Sequence, residues 1–446
     1  MGLKVCLISV QYVGTVTGGG GIHVVNLSKE LAKLGNDVYV LSMGVADLSP
    51  CETVEFDNAK VQVKRFWTSD SRTISNPFEG TKREEIERLN EFCDKVLSFL
   101  MDKKFDVIHL HGHFMVPSLA KKLKERGHSA KIVTTFHAFE SIIELTKGEY
   151  HSERDIFEYI VKKEKEALLY SDAIIIASKA LITDLSKIHG NWIRDLNLKI
   201  IPSGVNDIII NAERNESLVS EIRREFDGDY LLFNLNRIDP SKKVEYIIRA
   251  LPYAYKLLRK RITLVIAGKF EQRNMKYKAK LTNLAKEVIK EYPEISIHIL
   301  ENISEGKKIL FFDSADAFIM SSPTEPFGIT ILEAMARGTP IIVSDAPGPR
   351  EIFHIEEDFT SEFIEIDYGL MVNFRDEQKC TLNLGFAIAN LLKNIKGFKE
   401  RANKMKDFVK QNYSWSAVAR KVMDVYNEIL QERKGKKTNK SRNSRF

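Results

Sequence analysis

The chain has 446 residues, 43% hydrophobic and 29% charged, enough for about three ordinary domains or two large ones. That excludes a disordered chain or a mini-protein, and no apolar run approaches the roughly 18 residues of a membrane span. The formal net charge of +6 is carried by residues 431–446, where seven Lys and Arg face one anion, Glu432, leaving the body neutral.

This basic, aromatic-poor tail reads as a solvated, disordered end. Weak attraction to anionic lipid or nucleic acid is the sharper alternative, with no specific nucleic-acid site indicated. Cys6, Cys51, Cys93 and Cys380 are scattered without a C-x-x-C pair. Neither a zinc ribbon nor a disulfide framework is suggested, and the usage fits a cytoplasmic protein, peripheral to a membrane at most.

In chain order, Val5 to Val10 is the first apolar run. Only Lys4 precedes it as a charge and it runs into a glycine loop, so a first strand is expected rather than a secretory core. Met1-Gly2 fits a myristoylation start, but Cys6 stands where Ser or Thr is wanted, and lipidation is rejected. Residues 37–43, 106–110, 131–136 and 173–178 are equally short and apolar, as expected of strands buried on both faces of a parallel sheet. Residues 23–35 carry Val24, Leu27, Leu31 and Leu34 at helical spacing before Gly35. Residues 84–105 predict a helix whose stripe of Ile86, Leu89, Phe92, Val96, Phe99 and Leu100 packs on the sheet, with a membrane-surface role as the alternative.

The same grammar restarts with strands at 229–236, 262–268, 295–300, 316–322 and 340–345, and helices at 244–259, 275–291 and 328–337. The expectation is an α/β chain of two Rossmann-like domains, residues 1–205 and 206–412, with parallel sheets facing a central cleft.

Four glycines, Gly18 to Gly21, lead into the first helix, where a backbone free of side chains can approach a ligand and point amides at an anion. A flexible loop is the plain alternative, and no dinucleotide fingerprint is formed. Arg237 ends a predicted strand and Lys243 stands just before a helix; alone they read as a solvated basic turn, together with a ligand as a diphosphate grip. Residues 325–344, EPFGITILEAMARGTPIIVS, shift that balance. Glu333 sits among Ile331, Leu332 and Met335 and must meet hydroxyls or a cation if buried. The amides of Gly328, Ile329 and Thr330 lie free at a helix N-terminus, placed to hold phosphate.

With GGGGIHVVNL, DVIHLHG, TTFHAF, IPSGV, NRIDPSKKVEYIIRA, EPFGITILE, EAMARGTPIIVSD and YSWSAVARKVMDVY in this order, the chain resembles a retaining glycosyltransferase of family four, of the GT-B fold, over nearly its whole length. The resemblance implies an acceptor domain first and a nucleotide-sugar domain second. It implies a helix at 413–430 that crosses back to complete the first domain. Arg237 and Lys243 would grip the diphosphate, Glu333 the ribose and Glu325 the sugar hydroxyls. Gly19 and Gly20 would close over the donor, Phe327 to Thr330 would frame it, and the base would lie along Asn302 and Ile303. His137 matches a position near sugar and acceptor. Retention at the anomeric carbon, a hexose donor and no bound metal or other cofactor are further implications.

The chain departs from the family pattern at Val244, where a glycine is usual, and at Asn236, which replaces the glycine of Gly-Arg. Thr17 stands where glycogen and starch synthases have a lysine, which makes a polyglucan synthase less favoured. His109, His111 and His113 have strand spacing that suits three metal ligands, but no carboxylate or cysteine follows nearby and Gly112 ends the strand. His111 is expected to line the acceptor cleft and His109 to be core; His23 is a helix-face residue or an acceptor contact. A GT-B-type nucleotide-sugar epimerase, or a non-catalytic nucleotide-sugar-binding protein, are the alternative functions. Acceptor identity, donor base and oligomeric state carry no readable motif.

Overall fold

The computed structural model describes residues 2–16, 19–45, 48–74, 77–147, 154–269, 274–325 and 327–442. Two compact units are formed, Met1–Ser203 with Trp415–Phe446, and Gly204–Ser414. The first is built on an eight-stranded sheet of β1 (Lys4–Ile8), β2 (Asp37–Met43), β3 (Cys51–Phe56), β4 (Ala59–Phe66), β5 (Val107–Gly112), β6 (Lys131–Phe136), β7 (Ala173–Ile176) and β8 (Leu198–Ile200). Its order is β3-β4-β2-β1-β5-β6-β7-β8, and only β3 with β4 is antiparallel. The second holds β9 (Tyr230–Leu235), β10 (Ile262–Gly268), β11 (Ile295–Glu301), β12 (Ala317–Met320), β13 (Ile341–Ser344), β14 (Phe363–Ile366) and β15 (Gly369–Val372). Here the order is β11-β10-β9-β12-β13-β15-β14, with β14 and β15 antiparallel. Both sheets reverse direction of growth after their first strand, between β1 and β5 and between β9 and β12, the doubly wound arrangement.

Helices cover both faces because the strands are apolar on both. Val24, Leu27 and Leu31 of the helix Gly19–Lys33 pack on one face of the first sheet with Trp415, Val418, Val422 and Tyr426 of the helix Trp415–Arg442. Leu89, Phe92, Val96 and Leu100 of the helix Lys82–Met101 pack on the other. The apolar stripe of that helix is therefore spent on the sheet, and the membrane-surface alternative loses its basis. In the second unit Val244, Ile247, Ile248 and Leu251 of the helix Val244–Leu258 meet Leu232, Leu264 and Ile266. Each such fully buried side chain is worth about 1.5–3 kcal/mol.

Several boundaries differ from expectation. The glycines expected in a loop begin the first helix at Gly19, while Gly18 and Thr17 lie outside the described residues. The helix expected to reach residue 105 stops at Met101, after which Asp102 caps it. The final helix begins at Trp415 and continues to Arg442, where a disordered tail was expected from 431. Its Lys, Arg, Gln and Glu are good helix formers and no proline interrupts them. Among the described residues no helix is long and apolar enough to cross a membrane.

One buried ion pair fixes the helix Ile329–Arg337 in the second unit. Arg337 reaches both carboxylate oxygens of Asp313 at 2.8 Å and donates to the carbonyls of Ile209 and Ala212. Both side chains are under 5% exposed. Arg337→Met strands the Asp313 charge and should lower stability by about 3–5 kcal/mol, whereas a joint Arg337→Met, Asp313→Leu exchange should recover most of it. Urea denaturation of the full chain checks both outcomes.

Candidate active site

In the first unit the reversal between β1 and β5 sends two chain segments away in opposite directions, and a cavity of about 280 Å³ opens between them. Ser9 and Gln11 after β1, Gly19 to Gly21 in the first turn of the helix Gly19–Lys33, and His111 to Phe114 at the end of β5 line it, with His137 after β6. A Cβ on Gly20 would lie 3.1 Å from Cδ2 of His137, so glycine is what lets helix and ring approach this closely.

Four imidazoles cluster beside this cavity. The ring of His23 lies 4.8 Å from His137 and 5.6 Å from His111, and His111 stacks on His137 at 5.5 Å and lies 4.0 Å from His109. Burial pushes the His23 ring down to about 4. Burial, reinforced by neighbouring imidazoles, holds His109, His111 and His137 well below the usual range, so all four are neutral near pH 7. His23 Nδ1 bonds Ser203 at 2.9 Å. His109 spends both nitrogens, on Tyr426 at 2.6 Å and Thr135 at 2.7 Å, so it is a core residue with nothing left for a metal ion. Both nitrogens of His111 and Nε2 of His137 are buried without a hydrogen-bond partner among the described residues. Such atoms call for a ligand's hydroxyls or water.

An ionic network borders the same cavity, and nothing in the sequence had singled it out. Lys82 bridges Glu85 at 3.1 Å and Glu140 at 2.6 Å, and His113 holds the other Glu140 oxygen at 2.9 Å. Burial would raise the Glu140 carboxyl, but the His113 hydrogen bond and the Lys82 charge overcome it and hold it well below the carboxylate range. Glu85, lining the cavity, is pushed up by burial against the opposing Lys82 charge.

In the second unit the corresponding reversal brings together the loops after β9 and β12. Asn236 and Arg237 follow β9, and a short turn at Pro240–Lys242 delivers Lys243 to the start of the helix Val244–Leu258. The Ser321 hydroxyl, after β12, donates to the carbonyls of Lys242 and Lys243 at 3.0 Å each and pins that turn. Lys243 itself takes the left-handed conformation, φ 48°. The turn is thus made at Lys243 itself, and Val244 is a buried core residue.

Glu325, after β12, pairs with Lys242 at 2.8 Å. This places the neighbouring lysine, rather than Arg237 or Lys243, on the carboxylate. Arg237 is 61% exposed and 3.7 Å from Asp239, and Lys243 is 3.7 Å from the exposed Glu377. Gly328 (φ 97°) opens the helix Ile329–Arg337, whose N-terminus has no side-chain cap. A Cβ on Gly348 would strike the Phe327 backbone at 2.5 Å, so a glycine seats the Phe327–Thr330 segment. Pro326 lies outside the described residues.

Glu333 is buried and meets a cation, Lys308, at 3.0 Å. Burial raises its carboxyl, partly offset by Lys308. Asn302 follows β11 with φ 52° and hydrogen-bonds Gly268 through its backbone amide, with Ile303 next in the chain.

Residues 216–364 match the family described as glycosyl transferases group 1, and residues 17–207 match glycosyltransferase family 4. An uncharacterized glycosyltransferase of Methanocaldococcus jannaschii is 29% identical, over 97% of this chain and 100% of its own. The chain is a glycosyltransferase of the GT-B fold. Sucrose-phosphate synthase from Thermosynechococcus elongatus has the same fold, with a TM-score of 0.72 at 19% identity over 96% of this chain and 99% of that one. The catalytic domain of starch synthase IV from Arabidopsis thaliana, bound to ADP and acarbose, gives 0.70 at 18% identity over 97% and 100%.

In this glycosyltransferase two loci test directly. Gly20→Val should drive methyl groups into His137 and reduce kcat/KM by about 100-fold, with thermal stability changed far less; initial-rate kinetics and melting curves separate the two. Lys308→Met leaves Glu333 without its counter-charge and pushes its folded carboxyl further above 4.5. A raised folded value means stability is present below the unfolded value and is lost as pH rises through the folded one. The stability deficit of Lys308→Met, read by urea denaturation, should therefore widen between pH 5 and pH 8, reaching about 3 kcal/mol.

Proposed function

We propose that this glycosyltransferase moves a hexose from a nucleotide-diphosphate sugar to a hydroxyl acceptor, with retention at the anomeric carbon and without a bound metal. The observation that carries the reading is the group after β9 and β12: Glu325 held by Lys242, Arg237 and Lys243 on the adjoining turn, and an uncapped helix N-terminus at Gly328.

Departure of the nucleoside diphosphate leaves growing negative charge on its oxygens. Arg237, Lys243 and the amides at Gly328 to Thr330 meet that charge, which is the largest catalytic contribution in most enzymes of this kind. Glu325 accepts from the sugar hydroxyls and orients the ring, since Lys242 fixes its carboxylate. Glu333 accepts from the ribose hydroxyls, and the base lies along Asn302 and Ile303. The cavity of the first unit receives the acceptor, with the unsatisfied nitrogens of His111 and His137 as its hydroxyl partners. Neutral rings suit that task, because they both donate and accept hydrogen bonds. Attack from the face the diphosphate leaves gives retention without a covalent intermediate. That starch synthase IV was captured with ADP supports a nucleotide donor.

A nucleotide-sugar panel tests this. One donor at about 100 times its Kd should raise the melting temperature by about 5–10 °C, and Glu333→Ala should remove most of that shift. Glu325→Gln should keep the shift but lose at least about 100-fold in nucleoside-diphosphate release. NMR of the product should show the donor's anomeric configuration. Sugar inversion without any acceptor would identify an epimerase, and no shift with any donor would identify a protein that does not use nucleotide sugars.

A further inference from the structure

A second concavity, of about 620 Å³, lies on the first sheet away from the cavity described above. The helix Lys82–Met101 covers this face over β1 and β2, but β4 and β3 extend the sheet past it. Pairing puts Tyr39, Gln62 and Thr53 in one rung across β2, β4 and β3, and Leu41, Lys64 and Cys51 in the next. Strand alternation therefore turns all six to the same face. Phe99 of the helix and Lys103 and Phe105 just beyond it form the wall, and Lys4, at the start of β1, closes the end.

Three ammonium groups converge here on aromatic rings. Lys4 lies over Tyr39 at 5.0 Å and Phe105 at 5.4 Å, while Lys64 and Lys103 share the ring of Phe99 at 5.3 and 5.4 Å. Among the described residues none of the three has a carboxylate within ion-pair distance, and the groove's one carboxylate, Glu52, is taken by Arg65 at 2.5 Å. Two like charges on one ring repel each other, and cation–π attraction offsets only part of that. An anion bridging them removes the repulsion and gains charge-assisted hydrogen bonds. Beside the cations lie Thr53 and Gln62, exposed neutral groups that suit the hydroxyls of a sugar, while the rings of Tyr39 and Phe105 hold the Lys4 ammonium at the end of the groove.

We propose that this groove is a binding site for a phosphorylated sugar, separate from the donor and acceptor positions, with phosphate on Lys64, Lys103 and Lys4 and the sugar hydroxyls on Thr53 and Gln62. Its position at the amino-terminal start of β1 sets it apart from the loops at the carboxyl ends of β1 and β5.

Calorimetric titration of the full chain with glucose 6-phosphate, inorganic phosphate and glucose tests it. Glucose 6-phosphate should bind at least about tenfold more tightly than phosphate or glucose alone, more weakly as salt rises, and at least about tenfold more weakly to a Lys64→Gln, Lys103→Gln variant. Cys51 is the one exposed cysteine among Cys6, Cys51, Cys93 and Cys380, so maleimide labelling of Cys51 should slow when glucose 6-phosphate binds. Should the double variant fold poorly, Lys103→Gln alone, at an exposed position, carries the test. Unchanged affinity in the variant, unchanged Cys51 labelling, or phosphate binding as tightly as glucose 6-phosphate would each overturn the proposal.

Discussion

A parallel sheet whose strand order reverses cannot close its own top edge. The chain leaving one strand turns to one side and the chain leaving its neighbour turns to the other, so a gap is left between them. Both units obey this constraint, at β1 and β5 and again at β9 and β12, and the candidate chemistry collects at both gaps. Gly20 and Gly348 serve it in turn, because backbone must come close to the His137 ring in one case and to the Phe327 backbone in the other.

The two gaps solve their electrostatics differently. In the first unit, imidazoles are buried until they are neutral and the nearby carboxylates are paired with Lys82 and His113, so the cavity offers hydrogen bonds more than charge. In the second, three cations, Arg237, Lys242 and Lys243, gather on the turn after β9, two of them only loosely paired at 3.7 Å, and Glu325 and Glu333 each hold a lysine. A hydroxyl compound suits the first environment and an anion the second.

Much of this was legible in the sequence, for reasons that also explain what was not. Strands buried on both faces announce themselves as apolar runs, and the second set of runs repeats the first, so two Rossmann-like halves follow. The hairpin of β3 and β4 was missed although it alternates with period two around Asp57 and Asn58, with Asp57 at φ 47°. Half-exposed strands at or next to a sheet edge carry too few apolar residues to stand out among buried ones. Glu333 was expected to meet hydroxyls or a cation, but Lys308 comes from a different helix and no spacing rule points to it. Lys242 was passed over because only the backbone at Lys243, left-handed and pinned by Ser321, decides which of two adjacent lysines turns to Glu325. The lysine groove depends on pairing across three strands, which no local pattern encodes.

The return of the final helix to the first unit also orders events during synthesis. Trp415, Val418, Val422 and Tyr426 fill a face of the first sheet, yet they are among the last residues made. The second unit, lying between, is complete in sequence before the first one is. The usual amino-terminal-first order of assembly is thus inverted for the last step. While the ribosome is still adding residues beyond 414, the part of this apolar face that the helix Gly19–Lys33 leaves open, toward β5 and β6, waits uncovered, and any chain cut short in that interval carries it permanently exposed.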